Sequence, residues 1–214
     1  MRQVIIDISL PITSSMVSWP KTRSFERKWI KLITNGDQVN ESEITCNTHT
    51  GTHIDAPLHH LQNGVSIDKI DLSSMIGTTY VVDMCGKSQI TANDLAEAQI
   101  PHNISRVLLK TDNSKHWEKS DNVFDTNYVA LTLDAADWLV SRQIVLIGID
   151  YLSIQKYNDH SDVHKSLLSA NVIIVEGLNL SNIPKGEYQL ICLPLNVLGA
   201  EGAPARAVLI KEIE

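Results

Sequence analysis

Apolar positions along the chain gather in seven short runs of strand length, rich in β-branched residues: VIIDISL (4–10), TTYVVDM (78–84), RVLLKT (106–111), QIVLIGID (143–150), NVIIVEGL (171–178), YQLICLPL (188–195) and RAVLIKEI (206–213). Helical patterns between them are brief. Thr91 followed by Asp94 has the form of a capping box ahead of LAEAQ, LDAADWLVSR follows Thr132, and Ser161 or Asp162 is placed to cap VHKSLLSA. The pattern predicts a mixed α/β class, a β-rich core with few short helices. No repeat, low-complexity tract or Pro/Gly/Ser linker divides the chain, so residues 1–214 are expected to form one domain.

Residues 11–42 break this regularity. A long irregular segment inside a compact domain is often a functional loop or lid. Its Trp19, Phe25 and Trp29 either line a pocket or pack beneath the loop.

With 214 residues and 43% hydrophobic content the chain can bury a substantial core. A formal charge of -7 without clustered Lys and Arg argues against nucleic acid or an anionic membrane as partner. The opening MRQVIIDISL alternates like a strand and lacks a secretory apolar stretch. No apolar run approaches the roughly 18 to 20 residues needed to span a bilayer. Cys46, Cys85 and Cys192 have no paired spacing, which points to a reducing, cytoplasmic setting. Cys46, three residues before His49, is either a small core residue or a reactive thiol.

The densest chemistry lies in NTHTGTHIDAPLHH (47–60), which holds four of the eight histidines together with Asp55. Ligands of one metal ion sit about 2.0 to 2.2 Å from it. A regular strand separates residues four apart by about 13 Å, too far for His49 and His53 to share an ion unaided. Gly51, Pro57 and the β-branched Thr50, Thr52 and Ile54 disfavour a helix. The expectation is a tight loop, with Gly51 supplying an unusual dihedral and Pro57 stiffening the exit. Imidazole suits Zn, Mn and Fe, and a carboxylate can bridge two ions, so His49, His53 and Asp55 make a half-site for one or two divalent metals.

The remaining ligands must come from other elements. His164 shares a helix face with Leu167 and Leu168. Glu176 has the strand parity of Val172 and Ile174, so its carboxylate is aimed where apolar side chains point. A metal ion would offset that desolvation; the other outcome is a carboxylate that reaches solvent or Arg206. His102 and His116 read as surface histidines, and His160 as part of a turn.

These residues resemble the cyclase-like metal-dependent hydrolases, the family that includes bacterial kynurenine formamidase and isatin hydrolase. Its signature H-x-G-T-H-x-D-x-P-x-H is matched at every specified position by HTGTHIDAPLH, from His49 to His59. DISLPI, GIDYLSI (148–154), the segment carrying His164 and Glu176, and LPLNVLGAEGAPARAVL resemble further landmarks in the expected order, so the likeness covers almost the whole chain. It implies a swivelling β/β/α fold, a homodimer or homotetramer, and two divalent ions, zinc or manganese. It also implies that His49, His53 and Asp55 bind one ion, that Asp55, His164 and Glu176 engage the second, and that His59 is the catalytic acid/base. His60 lies one position outside the pattern and is read as a neighbour.

The implied reaction is hydrolysis of a small-molecule amide by metal-activated water, with N-formyl-L-kynurenine, giving L-kynurenine and formate, as first candidate. Isatin hydrolysis, or that of another cyclic amide or lactone, is the alternative enzyme reading. A metal-binding regulatory protein without catalysis is the alternative outside enzymes. A serine or cysteine hydrolase lacks its G-x-S-x-G elbow here. Many relatives carry Gly-Asp after the Trp-Pro or Tyr-Pro near the N-terminus, whereas Lys21 and Thr22 follow Pro20 here, which bears on the substrate. Trp19, in that loop, is placed to stack on an aryl ring.

Overall fold

All seven apolar runs become strands, with ends displaced by a few residues. The computed structural model describes residues 2–22, 25–118 and 123–213. The strands foreseen are β1 (Arg2–Asp7), β5 (Ile76–Asp83), β6 (Arg106–Lys110), β7 (Leu146–Ile149), β8 (Ile173–Glu176), β9 (Gly186–Pro194) and β10 (Gly202–Ile213). Three more were not foreseen: β2 (Glu26–Lys31), β3 (Glu41–Thr45) and β4 (His53–Asp55).

Eight strands form one sheet in the order β1-β10-β4-β8-β7-β6-β5-β9, and pairing of β9 with β10 closes it into a barrel-like core. β5, β6, β7 and β8 run parallel, while β4, β9 and β10 pair antiparallel. Alternation along the strands builds two apolar layers. One, inside the ring, takes Ile54, Val81, Leu108, Leu146, Val175 and Leu209. The other takes Val82, Val107, Leu109, Ile147 and Ile174 and packs them beneath the helices. Full burial of each such side chain stabilises the fold by roughly 1.5 to 3 kcal/mol.

Three helices cover that outer layer: α1 (Ala92–Glu97), α2 (Leu133–Ser141) and α3 (Val163–Ser169). The capping box of α1 forms as expected: the Asp94 backbone N–H donates to Thr91 Oγ1 at 3.2 Å, and the Thr91 N–H to Asp94 Oδ2 at 2.8 Å. α2 follows Thr132. Asp162 occupies the N-cap position of α3 without a capping bond, because its backbone is left-handed (φ 59°) and its carboxylate pairs with Lys165 at 2.7 Å.

The irregular 11–42 segment divides in two. Residues up to Phe25 include part of a cavity wall, described below. Beyond them β2 and β3 pair as a two-stranded sheet whose residues are exposed throughout. Trp29 stands there at 44% exposure, under the Arg27 guanidinium 4.7 Å from its ring centroid, away from the cavity. No helix among the described residues is long and apolar enough to cross a membrane.

Candidate metal centre and its cavity

His53 and Asp55 meet through a strand, which corrects the all-loop expectation for this segment. The four-residue span from His49 to His53 does exclude one strand through both, but His53 and Asp55 are two apart on β4 and share a face. Ile54 between them points into the barrel. His53 lies opposite Glu176 on β8, and Asp55 opposite Ile174, so all three polar side chains stand on the outer face with Ile174.

His49 is returned to this face by a turn. The Thr50 N–H donates to the Asn47 carbonyl at 3.2 Å, and the His49 N–H to Asn47 Oδ1 at 2.8 Å. Gly51 has φ +66°, the dihedral asked of it. The turn rests on Gly177, itself at φ +69°, where a Cβ would lie 2.2 Å from the Gly51 oxygen; no other residue fits that approach without displacing the turn. Thr52 Oγ1 ties the two together by donating to the Gly177 carbonyl at 2.5 Å.

α3 brings in His164, buried beside Leu167 and Leu168 on one face as its spacing predicted. Its Nε2 lies 3.2 Å from Glu176 Oε1 and 3.7 Å from Asp55 Oδ2. Glu176 does not reach Arg206, which pairs with Asp7 at 2.5 Å. Instead Glu176 Oε1 accepts the Ile154 N–H at 2.7 Å, and Oε2 lies 3.4 Å from His53 Nε2. Nδ1 of His53 faces the Gly51 carbonyl at 2.9 Å, and Nδ1 of His164 faces Gln155 Oε1 at 3.1 Å. Because each acceptor takes an N–H, it fixes the tautomer that leaves Nε2 free toward the carboxylates.

The electrostatics are those of buried imidazoles and carboxylates set against one another. Burial opposes charge on His53, yet its hydrogen bond to Glu176 and the charges of Asp55 and Glu176 raise its pKa to about 9. His164 is raised as well, burial being overcome by Glu176 and then Asp55. Asp55 is held below the ordinary carboxylate range: burial works against this, and the His49 hydrogen bond with the charges of His53, His49 and His59 prevails. Among the described residues, two buried side-chain atoms have no hydrogen-bond partner, His49 Nε2 and Asp55 Oδ2. An unpartnered imidazole nitrogen and an unpartnered carboxylate oxygen within a cluster of such donors suit a divalent ion.

The donor atoms fall into two groups that share Asp55: His49, Asp55 and His59, and His53, Asp55 and Glu176, each with atoms mutually within 4.8 Å. His164 adjoins the second. The same side chains that the sequence singled out are thus together, although the grouping places His59 beside His49. Their ring centroids are 4.1 Å apart. His59 follows Pro57 in a short 3-10 turn. Desolvation, with His49 and His164, lowers the His59 pKa against the pull of Asp55 and Glu176.

A cavity of 530 Å³ opens over this cluster, and Trp19, Phe25 and Met16 line it as well. Trp19 is braced edge-on by Phe124 at 5.1 Å and Tyr157 at 5.5 Å. Several lining residues escaped the sequence reading. His60 is more than a neighbour in sequence: its ring stacks on His164 at 4.4 Å and 14°. Gln155 holds His164, Glu201 Oε1 lies 3.5 Å from His49 Nε2 and accepts from Thr48 Oγ1 at 2.6 Å, and Lys156 lines the same wall. Their sequence signal is position alone: Gln155 and Lys156 follow GIDYLSI, Glu201 lies within GAEGAPAR, and His60 follows the histidine motif. His116, expected at the surface, is half-buried against Tyr151 and pairs with Asp125 at 3.2 Å. His102 and His160 are exposed, and Cys46, Cys85 and Cys192 are all free thiols.

The family model described as "Putative cyclase" matches residues 6–156. Cyclase-like protein 3 of Oryza sativa subsp. japonica is 41% identical over 218 residues, covering 97% of this chain and 80% of that protein. Kynurenine formamidase of Bacillus thuringiensis subsp. konkukian is 33% identical over 207 residues, covering 95% and 96%. A solved structure described as a potential metal-dependent hydrolase with cyclase activity superposes with a TM-score of 0.85 at 32% identity, covering all of both chains.

Proposed function

The chain belongs to the cyclase family, and from that premise we propose that it is a metal-dependent amide hydrolase whose substrate is an N-formylated arylamine, N-formyl-L-kynurenine first among them. One observation carries the reading: an Asp55-centred cluster of imidazoles and carboxylates with orphaned donor atoms stands at the floor of a cavity with an aromatic wall. The likeness to kynurenine formamidase supports the choice of substrate.

His49, His53, Asp55, His164 and Glu176 would hold two divalent ions, Zn²⁺ or Mn²⁺, Asp55 belonging to both groups of donor atoms. When bound, such ions supply Lewis acidity and bring water toward deprotonation near neutral pH. The protein does the rest. Gln155 and the Gly51 carbonyl keep His164 and His53 in the ligating tautomer, and the Ile154 N–H fixes Glu176. His59, beside His49 at the cavity wall, accepts a proton on its free ring nitrogen and returns it to the departing amine. Its lowered pKa keeps the ring neutral and ready to accept. Trp19 and Phe25 bind the aryl body. A histidine next to the ligands and free to move a proton favours an enzyme over a metal-binding regulator.

Turnover of N-formyl-L-kynurenine, followed at the absorbance of kynurenine with and without chelator, tests the reading. Chelator-sensitive release supports it. An inert protein that holds its ions sends the search to isatin-like cyclic amides and lactones.

The chain is further proposed to act as a homodimer or homotetramer. A two-stranded hairpin exposed on both faces is marginal alone in water, and β2 and β3 present Trp29, Ile30 and Ile44 to solvent. A second copy of the chain is the proposed cover. Light scattering on the eluting protein tests this, with a monomer as the contrary result.

A further inference from the structure

We infer that Lys156 determines specificity in this cavity by reading a carboxylate on the part of the substrate remote from the cleaved bond. The inference rests on the amide-hydrolase reading above. Lys156 is the one Lys or Arg among the described residues that line the cavity. Its Nζ donates to the Tyr128 carbonyl and lies 5.4 Å from the Tyr128 ring centroid, so the head group is fixed in the wall and not spread into solvent. Neither contact neutralises it.

The acidic groups around it are committed elsewhere. Asp125, whose charge it senses, pairs with His116 at 3.2 Å. Asp159, on the same wall, accepts the Ser161 N–H at 3.1 Å and the Ser161 hydroxyl. Glu176 is engaged by Ile154, His53 and His164. No carboxylate of the described residues forms an ion pair with Lys156. A partly buried ammonium without a counter-ion bears a desolvation cost, which a ligand carboxylate relieves. Partly withdrawn from solvent, the ammonium attracts a carboxylate more than a fully exposed lysine would.

Position along the chain separates the two ends of the ligand. The Ile154 N–H and the Gln155 side chain face the metal-ligand cluster, whereas Lys156, the next residue, turns to Tyr128. One wall therefore runs from the reacting centre to the isolated cation, and Trp19 and Phe25 line the same space. The ligand that fits is an amide with an aryl body and a carboxylate at its far end.

The test compares two formamides: N-formylkynurenine lacking its amino group, as the free acid and as the primary carboxamide. The metallated wild type should favour the acid in kcat/KM by about tenfold, equivalent to about 1.4 kcal/mol, with the difference in KM. In Lys156→Met that preference should fall to near unity, and Lys156→Arg should keep most of it. A preference equal in wild type and Lys156→Met overturns the inference. If Lys156→Met does not fold, Lys156→Gln takes its place. If the wild type hydrolyses neither compound, the amide-hydrolase reading has failed, and calorimetry with phenylbutanoate and phenylbutanamide on the metallated protein decides the role of Lys156. A preference for the acid that disappears in Lys156→Met supports the inference. No preference, or one that survives the substitution and so belongs to the ions, overturns it.

Discussion

The side-chain oxygen of Gln155 holds His164 at two points, receiving its backbone N–H at 3.2 Å and facing ring Nδ1 at 3.1 Å. The start of α3 and the orientation of its imidazole are therefore set by one amide. Partners that orient a ligand in this way typically account for about 10- to 100-fold in metal affinity or activity. Gln155→Leu should weaken zinc binding by that factor in competition with a chromophoric chelator. Unchanged affinity would make the contact incidental to the site.

His59 stands where it can serve as a proton carrier or as a ligand, since it shares a potential group with His49 and Asp55. The proposed role predicts that His59→Ala keeps its ions while turnover drops by about 10²- to 10⁴-fold. Metal content and rate should be measured on the same sample. Loss of an ion with the rate would move His59 into the ligand set.

Chelated protein should show a pH dependence that the metallated protein lacks. The His53 pKa rises from 6.5 to about 9 on folding, so its contribution to stability is fully present below pH 6.5 and is lost as pH climbs through about 9. Asp55 and Glu176 are held below their ordinary values, so their contribution is lost in acid. Thermal unfolding in the presence of chelator should therefore give a midpoint that declines from pH 6.5 to 9. Bound ions displace those protons, so the metallated protein should not follow this decline. A flat profile in chelator would contradict the assignment.

Asp150, at the end of β7, is fully buried and accepts four hydrogen bonds: from the Thr111 N–H at 2.8 Å and hydroxyl at 2.7 Å, and from the Ser114 N–H at 3.1 Å and hydroxyl at 2.6 Å. Asp150→Asn turns an amide N–H₂ toward donors. Denaturant unfolding should register a loss of about 3 kcal/mol. A loss below about 1 kcal/mol would show that the network rearranges around the amide.

Strand positions were legible because their apolar residues alternate into two layers, and His164 and Glu176 because each breaks an apolar pattern on a face that points inward. β2 and β3 were not, since ERKWIK and ESEIT bury nothing and so leave no period of burial to read. β4 was missed for a different reason. Only three residues long, it carries two polar side chains around one isoleucine, and its strand identity comes from pairing with Glu176 on one side and Gly202 on the other. Gln155 and Lys156 act through contacts distant in sequence, which local pattern does not carry.

Amide hydrolysis at the Asp55 cluster should depend on bound ions, which titration of ion-free protein with Zn²⁺ or Mn²⁺ checks when bound metal and hydrolysis of N-formyl-L-kynurenine are followed together. No turnover is expected without metal, and activity should rise with bound ion to a plateau at two ions per chain. Turnover that proceeds at full rate in the ion-free protein would contradict that dependence.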